Sequence, residues 1–340
     1  MESKHYSQNI AVQYCFPDNN SSCRKEVRTG PAYIFLFFVL SCVSVFTVFL
    51  NLLVIISISH FKQLHTPTNL LILSLSVVDL LVGLIVMPGK IIQLIDSCWY
   101  LGEMACTVSL VVSFMSGSGS LCSLVLIAVD RYIAVTDPLL YSMKITVCKT
   151  VLLIIIGWSF FLLYTLIYLY SNDHLLSSQI FSSCYGECVM YVKYSWVLVD
   201  LVVCFLVPCS VILVLYSIIF KVAQRQAKAV KAVMTGASNK HGAQSSNVSE
   251  TKAAKTLSIT VFVYLASYIP YCIGSLTDNN LTSSSMVWTV FSWLIYMTSS
   301  FNPLIYAIFY PWFRASVKYV LTCKIFGYPS SRLNLFPKHV

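Results

Sequence analysis

Two carboxylic acids of this chain, Asp79 and Asp200, lie deep inside long stretches of apolar residues. Placing a charge in hydrocarbon costs about 2.5–3.5 kcal/mol on membrane-insertion scales, so each acid is a candidate functional group. A buried carboxylate can act as the counterion of a sodium ion or of a protonated amine. Trp196 precedes Asp200 by four residues and therefore shares its helical face. For Asp200 the competing interpretation is a protonated acid with a purely structural hydrogen bond.

A stripe of serines marks a second segment with polar chemistry, an uncharged run of more than twenty residues from Cys106 to the triplet Asp130-Arg131-Tyr132. The run is long enough to cross a bilayer core of about 30 Å as a helix. Four serines in it recur at spacings of four, three and four: Ser109, Ser113, Ser116 and Ser120. They share one helical face, which is expected to contact other helices or a polar cavity. Helix-helix contact and ligand binding both remain open for each serine.

The composition indicates which elements must position these side chains. Hydrophobic residues make up 57% of the 340 residues and charged residues only 10%. This balance excludes an ordinary soluble globular domain. Several long apolar runs also exclude a soluble enzyme with a single membrane anchor. The chain is predicted to be an all-α integral membrane protein.

Seven membrane-spanning helices are predicted from the apolar runs. Their approximate bounds are 33–60, 67–95, 106–132, 147–170, 193–225, 252–276 and 286–310. These spans form one domain, 33–310, with an extracellular segment before it, 1–32, and a cytoplasmic amphipathic helix and tail after it, 311–340. The polar stretch at about 226–251 is predicted to be a cytoplasmic loop. No internal repeat is found.

The distribution of basic residues orients the predicted bundle. Sixteen of the twenty-two Lys and Arg residues fall in alternate loops and the tail, which places those parts in the cytoplasm and the N-terminus outside. This topology explains the net charge of +9 without a nucleic-acid partner. Lys90 lies near the outer end of the second span, where snorkelling to the interface is the favoured interpretation and a ligand contact the alternative.

The cysteines and sequons agree with that orientation. Six of the thirteen cysteines fall on the predicted outer side, where disulfides persist: Cys15, Cys23, Cys98, Cys106, Cys184 and Cys188. Outward-facing glycosylation sequons occur at Asn19, Asn20 and Asn280. Cys323 follows the amphipathic stretch and is a predicted palmitoylation site. No Cys/His spacing suggests a metal site, and no cofactor is predicted.

The signature positions of the seven spans resemble those of rhodopsin-like G-protein-coupled receptors. They are Asn51, Asp79, Asp130-Arg131-Tyr132, Trp158, Pro208, Pro270 and Asn302-Pro303-x-x-Tyr306. Within that family, the stretch from Thr298 to Phe313 resembles the fingerprint of trace amine-associated receptors, as do HFKQLHTPTN, SCWYLGE and DRYIAVTDPLLY. The resemblance implies a plasma-membrane seven-helix bundle of rhodopsin-like type with a short eighth helix.

The same resemblance implies a fish-type olfactory receptor for volatile amines that acts through a stimulatory G protein to raise cAMP. A biogenic-amine or peptide receptor with a non-olfactory role is the alternative. An enzyme is disfavoured because two lone acids on different helices do not form a paired catalytic set. A transporter is disfavoured because the chain lacks two related halves.

The ligand site implied by the resemblance departs from that of amine receptors at the position of the amine-binding acid. Ser113 stands where those receptors carry the amine-binding Asp, seven residues after the Cys that starts the third helix. Some trace amine-associated receptors carry an acid at the position of Asp200, which makes it the predicted counterion. The rest of the predicted lining is Trp196, Tyr268, Tyr271, Cys272, Ser292 and Tyr296. For any one of the aromatic residues, core packing is the alternative.

Further roles are implied by the resemblance. Asp130 is expected to hold Arg131 at rest, and Tyr132, Tyr216, Pro303 and Tyr306 belong to the same activation machinery. Asp79, Ser120 and Asn302 resemble a sodium site, although Thr298 replaces a usual Asn there, and a structural water network is the alternative. Cys106 is expected to pair with Cys188. The remaining four outer cysteines allow three pairings, of which Cys23 with Cys184 is favoured.

Overall fold

The computed structural model of the chain describes residues 13–28, 30–172, 184–188, 192–234, 244–277 and 286–326. Their long elements are helices: α1 (Pro31–His60), α2 (Pro67–Ile95), α3 (Gly102–Thr136), α4 (Val147–Ser171), α5 (Tyr194–Asp200, Leu201–Leu206 and Val207–Met234), α6 (Gln244–Thr277), α7 (Met286–Phe309) and α8 (Pro311–Leu321). Within the described ranges the only extended pairings are isolated bridges. The all-α prediction is confirmed.

Helix starts are set by local chemistry. Thr66 caps α2 by accepting a hydrogen bond from the Asn69 amide, with Pro67 in the first turn. Thr146 caps α4 in the same way, accepting from the Lys149 amide. Threonine oxygens satisfy one of the free amides at a helix start, and proline tolerates that position because its missing amide is not needed there.

Two helices widen into π-helical segments next to internal prolines. In α2 the segment is Val82–Val86, which ends two residues before Pro88, and in α5 it is Leu201–Leu206, which ends two residues before Pro208. A proline ring clashes with the carbonyl four residues earlier, and in both helices that carbonyl lies inside the π segment. The wider turn accommodates the ring without breaking the helix. In α5 the segment begins immediately after Asp200, so it sets how this residue is turned relative to the later part of the helix.

Six helices are long and apolar enough to cross a bilayer by length and composition, namely α1 to α5 and residues Ile259–Leu276 of α6. Their outer faces expose large apolar side chains such as Phe38 and Leu163, as expected of a lipid-facing surface. α7 does not meet the same criterion because it is rich in polar residues. Several of these are buried against the bundle: Thr298, Ser299, Ser300 and Asn302.

α3 runs through the centre of the bundle and contacts α2, α4, α5 and α6. At one end α8 packs back on α1, with Trp312 and Phe313 buried beside Tyr306. This is the position expected for the predicted eighth helix. The end of the bundle that carries the N-terminal segment and the disulfides is called the outer end below, and the end that carries α8 is the inner end.

Several helices extend beyond their predicted bounds. α3 starts at Gly102 and ends at Thr136, and a short helix, Pro138–Lys144, follows where only a loop was expected. α5 continues to Met234 and α6 begins at Gln244, so the predicted loop at 226–251 is helical at both ends. Residues 235–243 and the predicted sequon at Asn280 lie outside the described residues.

The outer end is covered by a cap, which we define as residues 13–28, the α2–α3 connection and residues 184–188. Three disulfides join it: Cys15–Cys98, Cys23–Cys184 and Cys106–Cys188. The Cys23 amide also donates to the Tyr185 carbonyl at 2.9 Å, and the Trp99 amide donates to the Gly186 carbonyl at 2.8 Å. Gly186 has a φ of +97°, and an added Cβ would lie 2.8 Å from the Phe16 ring. Glycine is therefore required between the two cysteines of this loop.

Asn19 and Asn20 are exposed on the N-terminal part of the cap. Glycosylation at these two residues stays a prediction.

We predict that non-reducing peptide mapping of the purified protein recovers the three pairs Cys15–Cys98, Cys23–Cys184 and Cys106–Cys188. Each pair joins segments already held together by cap contacts. Recovery of Cys184 as a free thiol, or joined to Cys98, would contradict this arrangement. Cys148, an exposed free cysteine outside the cap, serves as the internal control and should be alkylated without reduction.

Candidate functional site

Asp200 ends the first helical part of α5 and is mostly buried. Its neighbours Leu198 and Val199 are about two-fifths exposed on the apolar outer surface, so the acid faces the opposite way. The Tyr164 hydroxyl of α4 donates a hydrogen bond to its Oδ1 at 3.2 Å. The Cys204 thiol, one turn later in α5, lies beside the same carboxylate. One oxygen of the acid is thus held by α4, a partner that the sequence analysis did not identify.

Aromatic rings surround this acid on the α4 side. The Tyr168 ring lies 6.1 Å from that of Tyr164 and meets Trp196 edge-on at 5.5 Å. Phe114 of α3 completes the group, 4.8 Å from Tyr168. Trp196, one of the predicted lining residues, therefore joins the group around Asp200 through its contact with Tyr168. Tyr168 itself was not predicted. Two tyrosines four residues apart on an otherwise apolar helix were the available signal.

α6 and α7 supply the opposite wall. Tyr268, Tyr271 and Cys272 of α6 lie within electrostatic range of Asp200. The Tyr271 ring meets Trp288 of α7 edge-on at 5.5 Å. On α7 the Tyr296 hydroxyl lies close to the Ser113 side chain of α3. Ser292 is partly buried one turn before Tyr296.

Two stacked tyrosines join α6 to α3 at a glycine. The rings of Tyr264 and Tyr268 are 4.2 Å apart and nearly parallel, and the Tyr264 hydroxyl donates to the Gly117 carbonyl at 3.4 Å. A Cβ on Gly117 would lie 2.9 Å from the Tyr268 hydroxyl. Glycine at this position lets Tyr268 approach the α3 backbone. Tyr268 therefore contributes both to helix packing and to the wall that faces Asp200.

Asp79 forms a separate polar site in the middle of the bundle. Its Oδ2 accepts a hydrogen bond from Asn302 Nδ2 at 2.8 Å, and the Ser299 side chain lies beside the same carboxylate. The buried Oδ1 accepts no hydrogen bond within the described residues. Ser120 is buried as well. The Thr298 hydroxyl donates to the Ile295 carbonyl of its own helix at 2.6 Å. The unpaired carboxylate oxygen fits a cation ligand, but Thr298 is turned away from that role.

Asp130 at the inner end is fully engaged by hydrogen-bond donors. Arg131 donates to its Oδ2 through Nε at 3.0 Å and Nη2 at 2.7 Å, and the Thr68 hydroxyl donates to the same oxygen at 2.8 Å. The Tyr141 hydroxyl donates to Oδ1 at 2.7 Å. Burial and the charge of Asp130 raise the pKa of Tyr141, so this hydroxyl keeps its proton at neutral pH. The sequence analysis placed Arg131 here but missed Thr68 and Tyr141.

The other inner-end residues lie around this ion pair. Tyr306 is fully buried, with its ring 5.9 Å from that of Tyr310. Tyr216 of α5 and Tyr132 of α3 both pack against the buried pair Val135 and Ile219. Pro303 is buried within α7, one turn before Tyr306. Beyond the end of α8, Cys323 is exposed, and its palmitoylation stays a prediction.

The chain is similar over nearly its whole length to a group of known receptors. Residues 50–306 match the family 7 transmembrane receptor (rhodopsin family). Trace amine-associated receptor 6 of Homo sapiens is 39% identical over 99% of this chain and 100% of its own length. Trace amine-associated receptor 13c of Danio rerio is 39% identical over 95% of this chain and 96% of its own.

These matches confirm the predicted seven-helix bundle, in which α7 is the seventh helix, and the prediction that the chain is not an enzyme. The family implies a multi-pass protein of the plasma membrane with a small-molecule ligand and a G-protein partner. The chain belongs to the rhodopsin family of seven-transmembrane receptors and is a receptor of the trace amine-associated type.

Proposed function

We propose that this receptor senses a small protonated amine whose ammonium group pairs with Asp200. The observation that carries the proposal is the position of this acid. Among the described residues it is the one mostly buried carboxylate within the helices of the outer half of the bundle, and tyrosines of α4 and α6 surround it. The names of the relatives, trace amine-associated receptors, support the same ligand class.

The need for a counterion follows from desolvation. An ammonium group that enters a low-dielectric cavity loses its hydration and needs an opposite charge within about 4–6 Å to stay protonated. Ser113 offers a hydrogen bond but no charge. Asp79 is bound by Asn302 and Asp130 by Arg131, both nearer the inner end. Tyr168 and Tyr271 add faces that attract a cation by about 0.5–2 kcal/mol through cation-π contact.

A structural role for Asp200 is the competing interpretation, and the Tyr164 hydrogen bond gives it a basis. A carboxylate accepts several hydrogen bonds, so Tyr164 can hold Oδ1 and leave Oδ2 for a ligand. In this arrangement Tyr164 orients the acid rather than neutralising it. The two interpretations differ in whether the charge of Asp200 matters for the response.

We further propose that the outer end is extracellular and that the receptor signals through a stimulatory G protein to raise cAMP, in an olfactory role. The excess of Lys and Arg in the inner loops and tail supports this orientation. The cap supports a small ligand because three disulfides fix the segments above the bundle. A biogenic-amine or peptide receptor with a non-olfactory role remains the alternative.

At the inner end we propose that the Asp130–Arg131 pair holds the resting state. Activation would free Arg131 to contact the G protein, with Tyr216 and Tyr306 moving beside it. At the Asp79 site, Oδ1 and the Ser120 hydroxyl would hold a sodium ion that stabilises the same resting state. The unpaired Oδ1 supports this role, and a structural water network is the alternative.

Asp200→Asn removes the charge of Asp200 but keeps its size, so the potency of active amines is expected to fall at least tenfold, or about 1.4 kcal/mol. The measurement is a cAMP dose-response on cells with matched surface expression. Glu103→Gln, which removes an exposed acid near the start of α3, is the control and should leave potency unchanged. Wild-type potency of Asp200→Asn toward every active amine would support the structural role.

Asp130→Asn is expected to raise basal cAMP because it removes the charge that holds Arg131. Tyr141→Phe should raise it less, since Arg131 keeps its contacts with Oδ2. Asp137→Asn is the control. It removes an exposed acid that pairs with Lys144 and should leave basal cAMP unchanged. Arg131→Ala should lose agonist-stimulated signalling while retaining ligand binding, and a normal agonist response from that variant would refute the proposed role.

Replacing choline chloride by sodium chloride at equal ionic strength is expected to lower agonist affinity several-fold in the wild type. Asp79→Asn should abolish this difference, because the amide that replaces the carboxylate carries no charge. Ser120→Ala, which removes one hydroxyl ligand, should reduce it. Equal wild-type affinity in the two salts would favour the water network.

A further inference from the structure

Lys90 of α2 is a basic residue turned toward the interior of the outer half of the bundle. Ile92, two residues later, is exposed on the apolar surface, and two residues correspond to about 200° around a helix. Val86, one turn before Lys90, is fully buried. Lys90 itself is mostly buried. It therefore lies on the inner face of α2, which differs from the snorkelling that its position in the sequence favoured.

The ammonium group of Lys90 is held by neutral groups. Its Nζ donates to Gln93 Oε1 at 3.2 Å, and Gln93 Nε2 in turn donates to the Cys188 carbonyl at 2.8 Å. Cys188 belongs to the cap and is bonded to Cys106 at the start of α3. The side chain thus extends toward the cap along the inner face of α2. An amide oxygen supplies one hydrogen bond but does not neutralise a buried charge.

The acids of the described outer half form no ion pair with Lys90. Asp96 pairs with Lys25 in the cap at 3.4 Å, and Asp200 on the far side of the bundle accepts from Tyr164. The three ion pairs found in the described ranges do not include Lys90. A mostly buried cation without an acidic partner is costly for the fold. A ligand that supplies a negative charge would offset this cost.

Lys90 and Asp200 border the same interior region. Val86 and Met87, on the turn before Lys90, belong to a buried cluster against which Val112 of α3 and Tyr296 of α7 pack. Tyr296 reaches Ser113, and Tyr271, which faces Asp200, is within electrostatic range of Tyr296. One wall of side chains therefore leads from the cation on α2 to the acid on α5. The two opposite charges lie on opposite sides of this region.

We propose that Lys90 binds the carboxylate of a ligand whose ammonium group is bound by Asp200, so that the receptor recognises an amino acid or a similar zwitterion. This inference rests on the amine site of the proposed function and names its ligand class more closely. The ammonium of Lys90 has three donors that can hold a carboxylate. The single positive charge matches a carboxylate better than a doubly charged phosphate. A diamine would instead bring its second ammonium toward Lys90, which is unfavourable because like charges repel.

The test uses sets of compounds with the same carbon chain. Each set contains a monoamine, the α,ω-diamine and the ω-amino acid, which differ only in the group at the far end, and also the α-amino acid. Several chain lengths are offered to cells that display the full-length receptor. For chains that activate the wild type, one of the two amino acids is expected to be at least tenfold more potent than the monoamine, and the diamine the weakest.

Variants of Lys90 separate its charge from its bulk. Lys90→Met should lower the potency of the amino acid at least tenfold, so that it no longer exceeds that of the monoamine, and should leave the monoamine response intact. Lys90→Glu should reverse the order so that the diamine becomes the most potent. Lys25→Met removes a basic residue of the cap and should preserve the wild-type ranking. Surface staining and competition binding accompany each assay, so that a loss of signalling is distinguished from a loss of binding.

The outcomes distinguish this inference from the proposed function. The role of Lys90 is overturned if, on the wild type, monoamines are at least as potent as the amino acids at every chain length. This result does not depend on whether the variants reach the surface. An unchanged ranking in Lys90→Met does the same. If Asp200→Asn leaves all responses unchanged, the amine site itself is wrong. Silence toward the whole set of compounds contradicts both proposals.

Discussion

The structure depends on one constraint: a polar group within the hydrocarbon region has no water to bind and must find its partners inside the bundle. Asp79 is bound by Asn302, Asn51 donates to the carbonyls of Thr47 and Ser299, and the Thr47 and Ser300 hydroxyls share a hydrogen bond. These contacts fasten α7 to α1 and α2. They explain why α7 carries many polar residues and still belongs in the membrane. The same constraint makes incomplete pairing informative, as at Asp79 Oδ1 and Lys90.

The positions of the charged residues depend on how the helices accommodate proline. In α2 and α5 the π segments precede Pro88 and Pro208, and the charged residues lie close to them: Lys90 shortly after one and Asp200 directly before the other. An inserted residue rotates the following turn relative to a regular helix. The direction of Lys90, which follows the segment in α2, therefore depends on the backbone. The segment in α5 sets how Asp200 is turned relative to the inner part of its own helix.

Much of this arrangement could be predicted from the sequence. Apolar runs gave the helices, and the acids in them identified the candidate sites, because a charge in such a run has few explanations. The partners of these acids were harder to foresee. Tyr164 and Tyr168 lie in an apolar helix where tyrosine is common, and nothing local shows that they face α5. Tyr141 lies in a short helix whose position depends on contacts with α2 and α3. The inward direction of Lys90 depends on the π segment, which regular helical periodicity cannot represent.

The cap has a consequence for how quickly a molecule can enter or leave. Its N-terminal part is joined to both neighbouring connections by disulfides, and backbone hydrogen bonds tie the same segments between those links. Cross-links of this kind suppress the large openings by which a loop swings aside. A molecule that enters beside the cap must then do so without these segments swinging aside. Access then depends on molecular size as well as on binding chemistry. Bulky compounds associate slowly, and a compound that has bound also dissociates slowly for the same reason.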